Sequence, residues 1–332
     1  MMKKICSIVL CFLVCTLAYS QAANELHETA KSFMRQGDHA NAIIVLNRAL
    51  QKAPNDVQMT KDLALSYYFQ RDNSNALKTI NGLLDKEVSD DQTYQIAGLI
   101  YKQGNMVKDA EKMYKKALKK FPNSGPLYNE LGELQWQQQN FEAIKQWEKG
   151  IETDPSYSKN YYNASKYYYL STDKVWGLLY GEIFLNMEPL SNKAPEIKEL
   201  LLDSYKKLFS TASLYVNEKE NSAFVKAYLK NMNTQTNLVS SGINAETLSM
   251  LRTRFILDWF NSPDSPSFRL FAHHQQLLRE GLFEAYNQWL FGSTQNLIAY
   301  QQWINTHASE YNEFLQFQKG RIFKIASGEY YK

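Results

Sequence analysis

The chain is poor in the residues that build active sites or staple small domains. Its three cysteines, Cys6, Cys11 and Cys15, all fall within the first twenty of 332 residues. Beyond them there is no disulfide, thiol nucleophile or thiolate metal site. The five histidines, His27, His39, His273, His274 and His307, form no HExxH or HxxxH pair. His273 and His274 are adjacent, so on a helix they point about 100° apart and are poorly placed to share a metal. No G-x-S-x-G elbow, P-loop or dinucleotide fingerprint occurs. The carboxylate pairs Asp90-Asp91 and Glu310 with Glu313 stand at cap or solvated-face spacing, not acid/base spacing. The sequence therefore predicts no catalytic residue, no cofactor and no metal. Charge of one sign is missing too: 37 Lys and Arg against 34 Asp and Glu leave +3. That argues against a nucleic-acid partner, because no net basic field draws in a polyanion. With 14 Gly, 8 Pro and 44% hydrophobic residues, the chain can bury a core and is not globally disordered.

Long apolar runs are absent after the start. Residues 1–20 read as a secretory signal: Lys3 and Lys4, an apolar run from Ile5 to Ala18, then Ala18-Tyr19-Ser20. Cleavage is expected after Ser20. The run falls short of the roughly 20 residues a bilayer span needs, so a retained anchor is the weaker reading. Cys15 follows bulky Val14, a poor lipid-attachment site. The expectation is export to the periplasm or envelope of a Gram-negative bacterium, with no transmembrane span after removal of the signal.

What is present is a 34-residue period. Small residues recur at Ala30, Ala64, Gly98, Gly132 and Ser165, with Phe33, Tyr67, Tyr101, Gln135 and Tyr168 three positions on. A second small series runs Ala42, Ala76, Ala110, Ala143 and Gly177, followed four later by Leu46, Ile80, Tyr114, Trp147 and Gly181. Units close at Pro54, Val88, Pro122, Pro155 and Pro189. Each unit holds two helical segments whose apolar residues recur every three or four positions. Facing small side chains let the two backbones approach, aromatics fill the wedge, and proline stops the second helix. One hairpin cannot bury its apolar face alone, so neighbours must stack. One residue is missing between Gly132 and Ala143, which predicts a shortened turn in unit four. Gly177-x-x-x-Gly181 has polar flanks and reads as close helix packing in a soluble fold, not membrane dimerisation. The sequon Asn163-Ala164-Ser165 coincides with a small packing position.

These positions resemble the tetratricopeptide repeat family over about Ala23 to Ser191. The resemblance implies an all-α fold: an α-solenoid of about five helix-hairpin repeats plus a sixth, followed by a C-terminal helical region. The units are expected at 23–56, 57–90, 91–124, 125–157 and 158–191, within a repeat region of 21–191. Residues 192–243 are expected to continue the stack, with Ile197, Leu201, Tyr205 and Leu208 on one helix and Ala223 to Met232 as its partner. Residues 244–332 form the C-terminal region. There Asn244 caps a helix with the stripe Leu248, Leu251, Phe255 and Trp259. Ser265 and Pro266 open a helix to about Glu280, Leu282 to Leu290 a shorter one ended by Gly292, and two more follow near 297–304 and 308–323. Trp259, Trp289 and Trp303 suggest an apolar core of its own. Repeats followed by such a tail resemble exported envelope proteins of the Bacteroidota type, which implies a location and no activity.

The resemblance also implies a concave wall lined by the first helices. By that mapping it includes His27, Lys31 and Arg35; Lys61, Tyr68 and Phe69; Gln95, Lys102 and Gln103; Asn129, Glu133 and Trp136; and Tyr162, Lys166 and Tyr169. Aromatic rings offer apolar contact, while basic and amide groups can bond an extended peptide's backbone or acidic side chains. The expected partner is a protein or peptide segment. An equally weighted alternative is that the C-terminal helices fold back and fill the groove. The family's clamp for terminal carboxylates is not matched, since Asn129 stands where Lys is needed and Glu133 would repel the ligand. Two other readings stay open: an enzyme or ligand site around His273, His274, Arg279 and Trp289, and a structural subunit of an envelope complex.

Overall fold

A computed structural model describes residues 21–84, 86, 89–171, 173–210, 214, 222–263, 265–321 and 323–329. The expected signal with its three cysteines, and the unit-two closing residue Val88, lie outside the described residues. Among those described, every regular element is helical.

Helix α1 covers 21–35. It is followed by α2 (His39–Lys52), α3 (Val57–Phe69), α4 (Asn73–Leu84), α5 (Asp91–Gln103), α6 (Val107–Lys120) and α7 (Gly125–Gln137). Then come α8 (Ala143–Thr153), α9 (Ser158–Leu170), α10 (Lys174–Met187), α11 (Ala194–Leu208) and α12 (Ala223–Asn233). Local chemistry sets the boundaries. Asp56, Asp90 and Ser124, spaced at 34, each accept a backbone N–H of the first helix they precede. Asp38 and Asp72 do the same for the second helices α2 and α4. Each cap satisfies one of the unpaired amides at a helix start.

The turn inside each hairpin repeats with the same period. Gly37, Arg71, Asn105 and Gln139 all have positive φ, between 58° and 76°. Only the first is glycine, so three L side chains sit in a region that costs about 1–2 kcal/mol each. The register slip of unit four therefore falls after Gln139. There α8 begins with three successive i→i−3 hydrogen bonds, Ala143 to Asn140, Ile144 to Phe141 and Lys145 to Glu142, a tighter winding than the α-helix.

Contacts group the chain into two compact units that divide at this turn, between Gln138 and Gln139. In the first, one apolar core runs from Ala64 to Leu134 and another joins Ala23, Ala30, Leu46, Ala49, Met59 and Leu63. The small position Gly98 makes room for an aromatic of the second helix, where the spacing predicts a small residue opposite it. A Cβ built on Gly98 would lie 1.5 Å from the Tyr114 hydroxyl oxygen, so the glycine is the space the ring occupies.

The second unit is organised around α10. Twelve consecutive residues, Val175 to Asn186, are buried, as expected of a helix apolar on all sides. α9 and α11 cover one flank, where Gly181 lets Leu201 and Ile197 approach. The tail comprises α13 (Ala245–Asn261), α14 (Arg269–Arg279), α15 (Phe283–Asn287), a π-turn at Gln288–Gly292, α16 (Ser293–Gln295), α17 (Leu297–Thr306) and α18 (Ala308–Gly320), of which α13, α14 and α15 reach α10 through Arg252, His274 and Tyr286. Trp176 of α10 stacks on Phe224 of α12, and Phe224 meets Trp259, Phe268 and Phe271. The tail and the fifth repeat thus share one core.

Asn244 caps α13 in a reciprocal box with Thr247, and Leu248, Leu251, Phe255 and Trp259 are buried as predicted. Three expectations change. The helix predicted from Ser265 begins at Arg269, because the buried Trp259 indole N–H donates to the Pro266 carbonyl at 3.2 Å and Phe268 is extended. Gly292 does not end its helix; it lies in the π-turn, where a Cβ would strike the Tyr300 ring at 2.5 Å. Trp303 is not in the core but near the surface, stacked on His307 at 4.5 Å and bonded to Glu284.

Candidate functional site

First helices pack directly on one another, α3 on α5 and α5 on α7 in the first unit, α9 on α11 in the second. Because these helices repeat at 34 residues, equivalent side chains form rows across each wall, and the rows differ in depth.

The deepest row is closed. His27, Lys61 and Asn129 are 7%, 3% and 1% exposed. His27 lies 2.7 Å from Asp62, and Lys61 donates to Asp90 at 2.9 Å and Gln92 at 2.6 Å. Asn129 donates to Glu133 at 3.1 Å. Lys61 and Asn129 were expected to face a partner; both are buried instead, Lys61 tied to the next repeat through Asp90 and Gln92 and Asn129 bonded within its own helix. Gln95 is half-buried.

The middle row, Met34, Tyr68, Lys102 and Trp136, is half-buried. Lys102 is bonded to Glu130 at 2.6 Å, and Tyr114 donates to the same oxygen at 3.2 Å. Burial and the adjacent Glu130 carboxylate push the Tyr114 phenol far above its ordinary pKa. The outer row, Arg35, Phe69, Gln103 and Gln137, is exposed. Phe69 leaves 56% of its surface open while stacking on His39 at 4.6 Å and meeting Tyr68 edge-on. Lys31 is tied to Glu28 on its own helix at 2.9 Å.

In the second unit two ladders join α9 to α11, each over a separation of 34. Tyr162 donates to Glu196 at 2.6 Å, and Lys166 pairs with the same carboxylate at 2.6 Å. Tyr169 donates to Asp203 at 2.6 Å, while Lys207 bonds its hydroxyl at 2.8 Å and lies 3.9 Å from its ring centre. Burial opposes the Lys166 charge, but Glu196 and Tyr162 outweigh it and raise the pKa. The acids Asp62, Glu130, Glu196 and Asp203 were missing from the sequence mapping. A signal existed for two of them: Glu196 and Asp203 stand one repeat after Tyr162 and Tyr169.

The alternative site around His273 and His274 is a buried ionic cluster. Glu182 of α10 accepts from Arg252, from His274 Nε2 at 2.8 Å and from the Tyr286 hydroxyl at 2.7 Å. Arg252 also donates to Asn287, and Asn186 to Tyr286 at 2.6 Å. Burial alone would raise the Glu182 pKa; Arg252 foremost overcomes it and holds the carboxyl at about 2. Burial pushes both histidines down, His273 to about 3, so His274 is a neutral N–H donor and Arg252 carries the positive charge. His273 faces Tyr286, Phe317 and Phe323 rings. Arg279 is exposed and takes no part, and Trp289 lies under Lys198, whose ammonium donates to its carbonyl at 2.6 Å. Every member of the cluster is at least nine-tenths buried, which suits a bolt between α10 and the tail. Asn163-Ala164-Ser165 is likewise structural: Ser165 is fully buried and donates to the Tyr162 carbonyl. Among the described residues no group of three His, Cys, Asp or Glu side chains could hold a metal, and no helix is long and apolar enough to cross a membrane.

The family model for the tetratricopeptide repeat matches residues 26–56 and 93–124. A search of curated proteins finds no match. Among solved structures, PilF of Pseudomonas aeruginosa aligns at 14% identity over 57% of this chain and 86% of that one, TM-score 0.49. A tetratricopeptide repeat protein from Parabacteroides merdae aligns at 15% identity over 74% and 94%, TM-score 0.44. A thermophilic one from Thermus thermophilus aligns at 13% over 55% and 98%, TM-score 0.44.

Proposed function

We propose that this chain, which the tetratricopeptide repeat family model matches at residues 26–56 and 93–124, is a non-catalytic scaffold holding a segment of a partner protein against its first helices. The observation that carries the reading is the outer row of the first unit. Arg35, Phe69 and Gln103 are exposed at equivalent positions of successive repeats, beside the half-buried rings of Tyr68 and Trp136. A row repeating once per hairpin suits an extended peptide, with aromatic anchors for apolar side chains and Arg and amide groups for its backbone. The second unit, taken by itself, carries aromatic and basic residues of the same kind in Tyr162, Lys166 and Tyr169, with the Lys166 charge matched by Glu196 of α11. The signal-like segment 1–20 supports a place in the cell envelope.

Phe69→Ala combined with Trp136→Ala should remove the proteins that co-purify with the wild type from envelope extracts, while the helical signal and unfolding midpoint change little. Unchanged co-purification with unchanged stability would contradict the proposal.

A further inference from the structure

We propose that the outer face of α6 is a docking surface for membranes rich in anionic phospholipid. This inference is independent of partner binding at the first helices.

Helix α6 reads VKDAEKMYKKALKK, with six lysines and two acids in 14 residues. Its inward side is Ala110, Met113, Tyr114 and Ala117, all buried. The opposite side presents Lys108, Lys112, Lys115, Lys116 and Lys119, all exposed. Their spacing of four, three, one and three keeps them on one face over roughly 16 Å. Lys115 is paired with Glu111 at 2.6 Å, and Lys120 turns away to the Ser89 carbonyl at 3.0 Å. Lys108, Lys112, Lys116 and Lys119 have no ion pair or hydrogen bond among the described residues. Among the described residues no other helix carries more than three lysines. With the whole chain at only +3, the stripe is a local concentration of positive field.

The composition of that face selects among polyanions. It holds no Arg to grip a phosphate or guanine edge in two places. It holds no aromatic ring on which a base could stack. It offers no exposed aromatic or Arg anchor for a protein interface. What remains is a row of compact charges on flexible stems. Such a row tolerates laterally mobile targets, and a leaflet of anionic headgroups is that target. Attachment of this kind is reversible and grows by about fivefold per lysine near the surface.

The test is co-sedimentation of the purified chain with vesicles at about 0.1 M salt, where screening extends over roughly 10 Å. Vesicles of phosphatidylglycerol and phosphatidylcholine should bind it, and phosphatidylcholine alone should not. The neutral vesicles also report any contribution of the apolar run at 5–18. Replacing Lys108, Lys112, Lys116 and Lys119 by Gln should weaken binding at least about a hundredfold. Replacing the same four by Arg should preserve it. The charge-matched variant Lys78→Gln, Lys145→Gln, Lys159→Gln, Lys206→Gln, whose sites are exposed on other helices, should lose less than about fivefold. Circular dichroism checks the fold of each variant; if the fourfold Gln variant is misfolded, Lys112→Glu with Lys116→Glu reads the same effect. Equal losses in both fourfold Gln variants, retention on neutral vesicles, or tighter binding to an oligonucleotide than to anionic vesicles would overturn the proposal.

Discussion

At the residue scale, the small positions of the repeat are spaces reserved for named neighbours. Gly98 is the sharpest case, since its missing Cβ is where the Tyr114 ring lies. Gly98→Ala should cost about 1–3 kcal/mol, the usual effect of overfilling a packed core. Urea unfolding of Gly98→Ala, Tyr114→Leu and the double variant should show strong coupling, the pair losing less than the sum. Additive losses would mean that the ring moves aside freely. The sequence marks Gly98 as a small packing position and Tyr114 as an aromatic of the next helix, but its period does not show that the two meet. The acids that answer His27 and Lys102 were not legible either, because Asp62 and Glu130 stand beside the one face of each first helix that the family resemblance assigns to the wall.

At the scale of elements, α10 shows where a repeat reading stops. Its positions match the fifth unit, and Gly177 and Gly181 serve close packing as read. Yet a repeat's second helix needs only one buried face, and α10 is buried on all of them. The signal was present as one acid, Glu182, in an otherwise apolar stretch. Its partners, 70 to 104 residues away, could not be found from local periodicity. Breaking this cluster from one side strands a buried charge. Glu182→Gln should therefore destabilise the second unit by about 3–5 kcal/mol. Glu182→Met with Arg252→Met should lose much less than the two single changes together. A Glu182→Gln protein with an unfolding midpoint near the wild type would show that the cluster contributes little. The C-terminal element boundaries were the least legible part. Ser265-Pro266 is a good helix start locally, but the Trp259 indole takes the Pro266 carbonyl and delays it to Arg269.

At the scale of the molecule, the hairpins, their register and the slip in unit four were readable, because a 34-residue period leaves the same mark five times. The caps, the positive-φ turns and the depth of each row follow that period too, and their exposure needed coordinates. Row depth matters most for function. It removes Lys61 and Asn129 from any contact surface and leaves Arg35, Phe69 and Gln103 as the face a partner can reach. The α6 stripe escaped a charge argument made on the whole chain, since +3 conceals a helix with six lysines.

The most direct measurement is cross-linking in intact cells with a photoreactive residue at Gln103, compared with one at Ile44, which is half-exposed on the second helix α2. A partner protein captured at position 103, absent at 44 and lost on adding Phe69→Ala, is the predicted result. Equal capture at both positions, or capture indifferent to Phe69, would contradict the assignment of the first-helix wall as the binding face.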